Sequence, residues 1–245
     1  MRPLADAKLI LRPYYLVRPQ LWREPLRAID ARSVVSRQWR YIYLRVPKAA
    51  NSTVLRTLLE RFPDPGLDPE NVDRAKVCSA HFRNLRAGEL DAVAGYFTFT
   101  VVRDPYVRML SAYLDKFRPG NKHLGRFSAR VERMDGGRVS FRGFCRYLAA
   151  GGEAEDAHWM RQTRLVGLAD RVDFVGRVET LAADIPAVMA RIGDAGAALE
   201  IRRAGPPPTG AASRLEEHYD AECRGIVAEV YAADFARFGY PLAPG

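Results

Sequence analysis

The sequence predicts an α/β protein built on a parallel sheet, and three observations carry that prediction. Two short runs rich in β-branched and aromatic residues, "WRYIYLRV" (39–46) and "YFTFTVV" (96–102), read as interior strands. Each is followed by an amphipathic helical pattern, so the chain alternates strand, helix, strand, helix through crossover connections. A third run, "VDFVGRVE", leads into one more helical pattern, "TLAADIPAVMARIG".

Taken in order, residues 1–40 carry prolines and arginines around aromatic residues, and are expected to form an irregular N-terminal wrap. The remainder, 41–245, is expected to be a single domain with helices flanking its sheet. After the first strand, Leu55, Leu58, Leu59 and Phe62 recur at i, i+3, i+4 and i+7, one face of a helix. Pro63 and "PDPG" stop it. "DPENVDRAK" and "RAGELDAVAG" read as short helices. After the second strand, Asp104 can cap a helix and Pro105 suits its first turn. Tyr106, Met109, Leu110, Tyr113, Leu114 and Phe117 supply its apolar stripe. Residues 118–139 are basic and contain glycine, which predicts a surface excursion. "SFRGFCRYLAA" reads as a helix ended by Gly151 and Gly152. "GPPPTG" is a loop, and 213–237 one final amphipathic helix.

Bulk properties bound the function. Hydrophobic residues make up 48% of 245, enough for a well-buried core. No apolar run approaches the ~20 residues that span a bilayer. The N-terminus, "MRPLADAKLILRPYYLVRP", lacks the apolar centre of a secretory signal. A cytoplasmic protein without stable membrane insertion is expected. Three separated cysteines, with no C-x-x-C or H-E-x-x-H, point to reduced structural thiols and predict no metal. The formal charge of +9 favours anionic partners. No recognised nucleic-acid-binding motif accompanies it, and no nucleic-acid partner is expected.

In an open α/β sheet, ligands gather where strands end and helices begin. The first strand ends at "VPKAANST", where a turn and a helix N-terminus direct backbone N–H groups at an anion. Pro47, Lys48, Ala49, Ala50, Asn51, Ser52 and Thr53 form this loop, with Lys48 as a point charge and Ser52 and Thr53 as hydroxyl donors. The second strand ends at "VVRDPYVRMLS", with Arg103 at the tip and Ser111 two helical turns on. Neither is a triphosphate loop of the form G-x-x-x-x-G-K-[ST]. Lysine precedes the small residues, no glycine lies between Val46 and Thr53, and the second strand presents arginine where a magnesium carboxylate belongs. A kinase or other P-loop phosphotransferase is the disfavoured alternative, and a basic nucleic-acid module a third.

"RVPKAANST" is similar to the 5′-phosphosulfate loop of sulfotransferases, and "FTVVRDPYVRMLSAYLDKF" resembles their 3′-phosphate segment. "DAHWMRQTRLVGLADRVDFVGRVETLAADI" and "YAADFARFGYP" resemble the carbohydrate branch that holds the chondroitin 4-sulfating and HNK-1-sulfating enzymes. These blocks run in family order over about 41–240. The loop departs by carrying Ala-Ala-Asn where relatives often have Gly or Cys. The anchor, stem and cysteine pair of the animal enzymes are missing, which suits a bacterial cytosolic relative.

The resemblance implies a central parallel sheet of the P-loop NTPase type. It implies 3′-phosphoadenosine 5′-phosphosulfate (PAPS) as donor and a hydroxyl acceptor, a glycan first and a lipid or secondary metabolite as alternative. Transfer would be an in-line displacement with Lys48 at the leaving phosphate. Arg103 and Ser111 would hold the 3′-phosphate, where arginine can offer two parallel donors. A base must take the acceptor proton. His158, in "DAHWMRQ", and His81, in "CSAHFRNL", are both candidates, with Glu153, Glu155 and Asp156 as carboxylate alternatives. His123 and His218 are expected to be structural or solvent-facing. The basic stretches 116–138 and "RRAG" could line an acidic glycan groove or face solvent.

Overall fold

The computed structural model describes residues 4–194 and 200–242. They group into two compact units, each built from two stretches of chain. One runs up to Val102 and resumes over Arg164–Gly205; the other takes Arg103–Thr163 and the residues from Pro206 on.

The N-terminal segment departs from the irregular wrap expected. It holds helices α1 (Leu4–Ile10), α2 (Pro13–Leu16) and α3 (Leu26–Asp30), then strand β1 (Ser33–Ser36). Buried polar bonds explain the order. Tyr15 donates to Asp30 Oδ1 at 2.6 Å, Arg83 Nη1 reaches Asp30 Oδ2 at 2.6 Å, and Tyr14 stacks on Phe82 at 4.1 Å. Proline and arginine content concealed a segment fixed by partners far along the chain.

Strand β2 (Tyr41–Leu44) is buried at every position, as its composition predicts. Helix α4 (Asn51–Arg61) follows and buries Leu55, Leu58 and Leu59. Next come α5 (Val72–Cys78), α6 (Leu90–Ala94) and strand β3 (Phe97–Val102). In the other unit, α7 (Pro105–Lys116), α8 (Lys122–Met134) and α9 (Phe141–Ala149) follow one another. Helix α8 replaces the predicted surface excursion: Phe127 and Val131 give it a buried face, and its first turn buries His123. Helix α10 (Gln162–Val166), strand β4 (Phe174–Arg177) and helix α11 (Leu181–Ile192) complete the middle of the chain.

The predicted single C-terminal helix is three: α12 (Leu215–His218), α13 (Ala221–Val230) and α14 (Ala232–Phe238). Asp220 starts α13 by accepting from the Cys223 N–H, and Tyr231 closes it. An amphipathic pattern carries through such breaks, so periodicity alone does not see them.

Among the described residues the sheet has the order β1-β2-β3-β4. The pairs β2–β3 and β3–β4 are parallel, with Tyr43 opposite Phe99 and Thr100 opposite Val175. β1 runs antiparallel to β2, so the sheet is mixed rather than wholly parallel. The added strand comes from the segment read as irregular. The core of this unit packs Val54, Leu55, Leu58 and Leu59 of α4 and Ile185, Val188 and Met189 of α11 against Tyr41, Tyr43, Phe99 and Val101. The other unit has an aromatic core around Trp159, ringed by Phe117, Phe127, Phe144 and Tyr147. There Cys145 and Cys223, far apart in sequence, are buried thiols in hydrogen-bond contact, and burial pushes the Cys145 thiol up. Among the described residues, no helix is long and apolar enough to cross a membrane.

Candidate functional site

The β2–α4 junction, where the sequence predicts an anion loop, has an unexpected backbone. Lys48 and Ala50 both take left-handed conformations, at φ 69° and 51°. Such a conformation costs an L-residue roughly 1–2 kcal/mol, and it is what glycine would have supplied freely. Ala50 is the N-cap of α4 and offers no side chain to the first N–H groups of the helix. Those donors and the positive end of the helix dipole therefore face the loop. Ser52 and Thr53, in the first turn, are buried. Thr53 Oγ1 accepts from the Ala204 N–H at 3.1 Å. Gly205 passes so close that a Cβ there would lie 2.9 Å from Ser52 Oγ, and its φ of +91° also excludes other residues.

Two cations that the sequence reading missed join this loop. Lys76, on α5, donates to Ser52 Oγ at 2.7 Å and to Asp73 at 2.8 Å. Arg45, buried just before the loop, donates from Nη2 to the Ala31 carbonyl at 2.5 Å and leaves its Nε without a partner. Burial lowers the Arg45 guanidinium to about 10, and repulsion from Arg32 adds to it. Burial also lowers Lys76, against the pull of Asp73 and with repulsion from Arg45 and Arg32. Mutually repelling cations beside an uncapped helix start make a region of positive potential that an anion would relieve.

His81 belongs to the same unit, at the same end of the sheet. Its Nδ1 donates to the Ser33 carbonyl at 2.6 Å, and Ser33 pairs with Leu44, the last residue of β2. Since a carbonyl only accepts, Nδ1 carries the proton and Nε2 the lone pair. The ring is buried, 1% exposed, and desolvation lowers its pKa below 6.5. The Asp30–Arg83–Tyr15 network holds this segment, so the N-terminal helices position His81.

The β3–α7 junction is built differently. Asp104 caps α7 by accepting from the Val107 N–H at 3.0 Å, and Pro105 fills the first turn. Arg103 is fixed through its backbone: its N–H donates to Gln162 Oε1 at 3.0 Å, and Gln162 Nε2 donates to its carbonyl at 2.8 Å. Gln162 is held in turn by Asp234, which accepts from the Gln162 and Thr163 N–H groups at 2.7 and 2.8 Å. Burial raises the Asp234 carboxyl against these bonds. Ser111 is buried and accepts from Thr209 Oγ1 at 3.1 Å. Gln162, Asp234 and Thr209 carried no signal of this role beyond their places in "MRQ", "YAADF" and "PPPTG".

The other candidate bases are engaged elsewhere. Glu153 accepts from the Arg161 N–H at 2.6 Å, and Glu155 pairs with Arg130. His158 Nδ1 donates to Asp156 Oδ1 at 2.6 Å, while His123 Nε2 lies 3.3 Å from Asp156 Oδ2. Burial would raise the Asp156 carboxyl, but the two neighbouring imidazoles hold it well below the usual range. His218 packs edge-on against Phe141. Much of the basic surface is neutralised locally: Lys116 pairs with Asp115, and Arg202 with Glu60 and Glu70.

The model of the Sulfotransferase family matches residues 31–241. Carbohydrate sulfotransferase 14 of Mus musculus is 31% identical, and that of Homo sapiens 30%; each match takes in 85% of this chain and 60% of the relative. Carbohydrate sulfotransferase 10 of Danio rerio is 28% identical over 82% of this chain and 64% of that protein. The chain thus spans about three-fifths of the length of the relatives it matches first. No solved structure matches.

Proposed function

The chain belongs to the Sulfotransferase family, and from that premise we propose that it transfers a sulfuryl group from PAPS to a carbohydrate hydroxyl. The observation that carries the reading is the β2–α4 loop, where left-handed Lys48 and Ala50 open an uncapped helix start to an anion. A P-loop-like parallel core is part of the same reading. The names of the relatives support a carbohydrate acceptor.

In the proposed reaction, the acceptor oxygen attacks sulfur in line with the bond to the 5′-phosphate. The S–O bond to the phosphate breaks as the new one forms, and the acceptor proton passes to a base. Charge collects on the departing phosphate, where the Lys48 ammonium and the α4 N–H groups stabilise it. Ser52 and Lys76 steady the same phosphate. His81 is the proposed base, because it shares the strand-end edge with the loop and presents Nε2 as the acceptor nitrogen. Its lowered pKa keeps it neutral at pH 7, the state that a base requires. Arg103 and Ser111 are assigned to the 3′-phosphate, the group that separates this donor from ATP. Guanidinium geometry suits that dianion.

Titration calorimetry with 3′,5′-adenosine bisphosphate against ATP–Mg²⁺ tests the donor. Preference for the bisphosphate supports the reading, whereas preference for ATP–Mg²⁺ overturns it in favour of a phosphotransferase. Transfer of radiolabelled sulfate to a glycan panel then tests the acceptor.

A further inference from the structure

We propose that His123, Asp156 and His158 form a binding site for a divalent transition-metal ion of the zinc class, in the unit that holds α7, α8 and α9. This assignment is independent of the sulfuryl-transfer reading. The three side chains come from two separate segments, the first turn of α8 and the turn before Trp159. One ligand atom from each lies within 4.8 Å of the other two.

Hydrogen bonding fixes which nitrogen His123 offers. Asn121 Nδ2 donates to the Asp115 carbonyl at 3.0 Å, which turns Asn121 Oδ1 toward His123. That oxygen accepts from the His123 N–H at 3.0 Å and from His123 Nδ1 at 3.1 Å. With its proton committed there, the imidazole presents Nε2 to Asp156 Oδ2 at 3.3 Å. Two lone-pair atoms facing one another at that distance need a positive centre between them, either a proton or a metal ion.

The spacing suits the metal. Ligands at about 2.0–2.1 Å from a tetrahedral zinc ion lie about 3.3 Å apart, the separation already present between His123 Nε2 and Asp156 Oδ2. An imidazole that donates its other N–H to an oxygen acceptor is the usual outer-shell support of a metal-bound histidine, and Asn121 supplies it. His158 Nδ1 is the third ligand. Its proton now bonds Asp156 Oδ1 at 2.6 Å; in the metal-bound state the ring takes the other tautomer, protonated at Nε2, and Nδ1 gives its lone pair to the metal. Two imidazoles and one carboxylate form a borderline-soft set that favours zinc over magnesium or calcium. Trp159 and Phe127 lie 6.1 and 6.2 Å from the buried His123 ring, while Asp156 and His158 are partly exposed. The ion would tie α8 to the Asp156–His158 turn and leave a fourth position for water or another ligand.

The test uses tag-free protein, stripped with a chelator, dialysed and titrated with Co²⁺ as a spectroscopic stand-in for Zn²⁺. One Co²⁺ per chain is expected, with the intense visible bands of a four-coordinate site, displaced by one equivalent of Zn²⁺. His123→Gln and His158→Gln should each abolish the bands at concentrations that saturate the wild type. Asn121→Ala keeps every ligand and should weaken affinity about 10- to 100-fold. Zn²⁺ should raise the melting temperature of the wild type and leave that of His123→Gln unmoved. If His158→Gln folds poorly, His123→Gln and Asn121→Ala carry the test. Absence of stoichiometric binding, or wild-type affinity in His123→Gln, overturns the site and leaves a hydrogen-bonded triad.

Discussion

The two strand-to-helix junctions solve the same problem in opposite ways. At β2–α4 the helix start has no capping side chain, and two residues without glycine's freedom are held left-handed. At β3–α7 a carboxylate caps the helix and a proline occupies its first turn. An anion that approached the second helix start would meet Asp104; one that approached the first meets N–H groups, Lys48 and Lys76. The first junction can thus bind through backbone and point charge. In the proposed function the second would bind through a side chain, since its hydrogen bonds with Gln162 fix the backbone of Arg103. Strained backbone marks the first junction as the place where stability has been traded for geometry.

This contrast predicts that variants at the first junction lose turnover and those at the second lose donor affinity. His81→Ala should lower kcat by about 10²–10⁴-fold, the usual worth of a positioned base, with donor affinity nearly unchanged. In the wild type, the acid limb of kcat should lie below pH 6.5, because burial lowers the folded pKa of His81 from that value. The same shift makes protonation favour unfolding, so this contribution to stability is complete above pH 6.5 and shrinks as pH falls. A pH–rate series beside a pH–melting series would show both trends; an acid limb above 6.5 would remove His81 from the role.

Lys48→Ala should cost about 10²–10³-fold in kcat, as removal of one stabilising donor typically does, with the circular dichroism spectrum preserved. Arg103→Ala should instead weaken binding of 3′,5′-adenosine bisphosphate about 10- to 100-fold, the worth of a charge-assisted hydrogen bond or two. It should leave binding of adenosine 5′-monophosphate nearly as before. Equal losses for the two nucleotides would dissolve the distinction between the junctions.

The smaller effects read stability. Asp104→Ala should cost about 1 kcal/mol by loss of the α7 cap, measured by urea denaturation. Ala50→Gly should gain up to about 1 kcal/mol, as relief of the left-handed residue exceeds the entropy glycine adds to the unfolded chain. A loss at Ala50→Gly would mean that the loop carries no strain there.

Much of this was legible because it is local. Interior strands announce themselves by β-branched and aromatic runs, the α4 stripe by its spacing, the α7 cap by Asp-Pro. The candidate site was legible at Lys48, in the short turn between strand and helix, at Ser52 and Thr53, which open a helix, and at Arg103, which directly follows a strand. What stayed hidden depends on distant partners. Lys76 reaches Ser52 from another helix, and Gln162 clamps Arg103 across 59 positions of sequence. The N-terminal segment looked irregular because its order comes from Asp30, Arg83 and Phe82. Helix α8 looked like a surface loop because its few apolar residues are spread among arginines.

The sequence by itself determined where β2 and β3 end and α4 and α7 begin, because hydrophobic period and capping chemistry are written in neighbouring residues. It also determined that no triphosphate loop is present, since glycine placement is a local property. Only the tertiary structure decided that Lys48 and Ala50 are left-handed, a conformation disfavoured locally and held by packing. Only it brought His123, Asp156 and His158 together, because side chains meet by chain reversal, and that is settled by the packing of whole elements rather than by spacing along the chain.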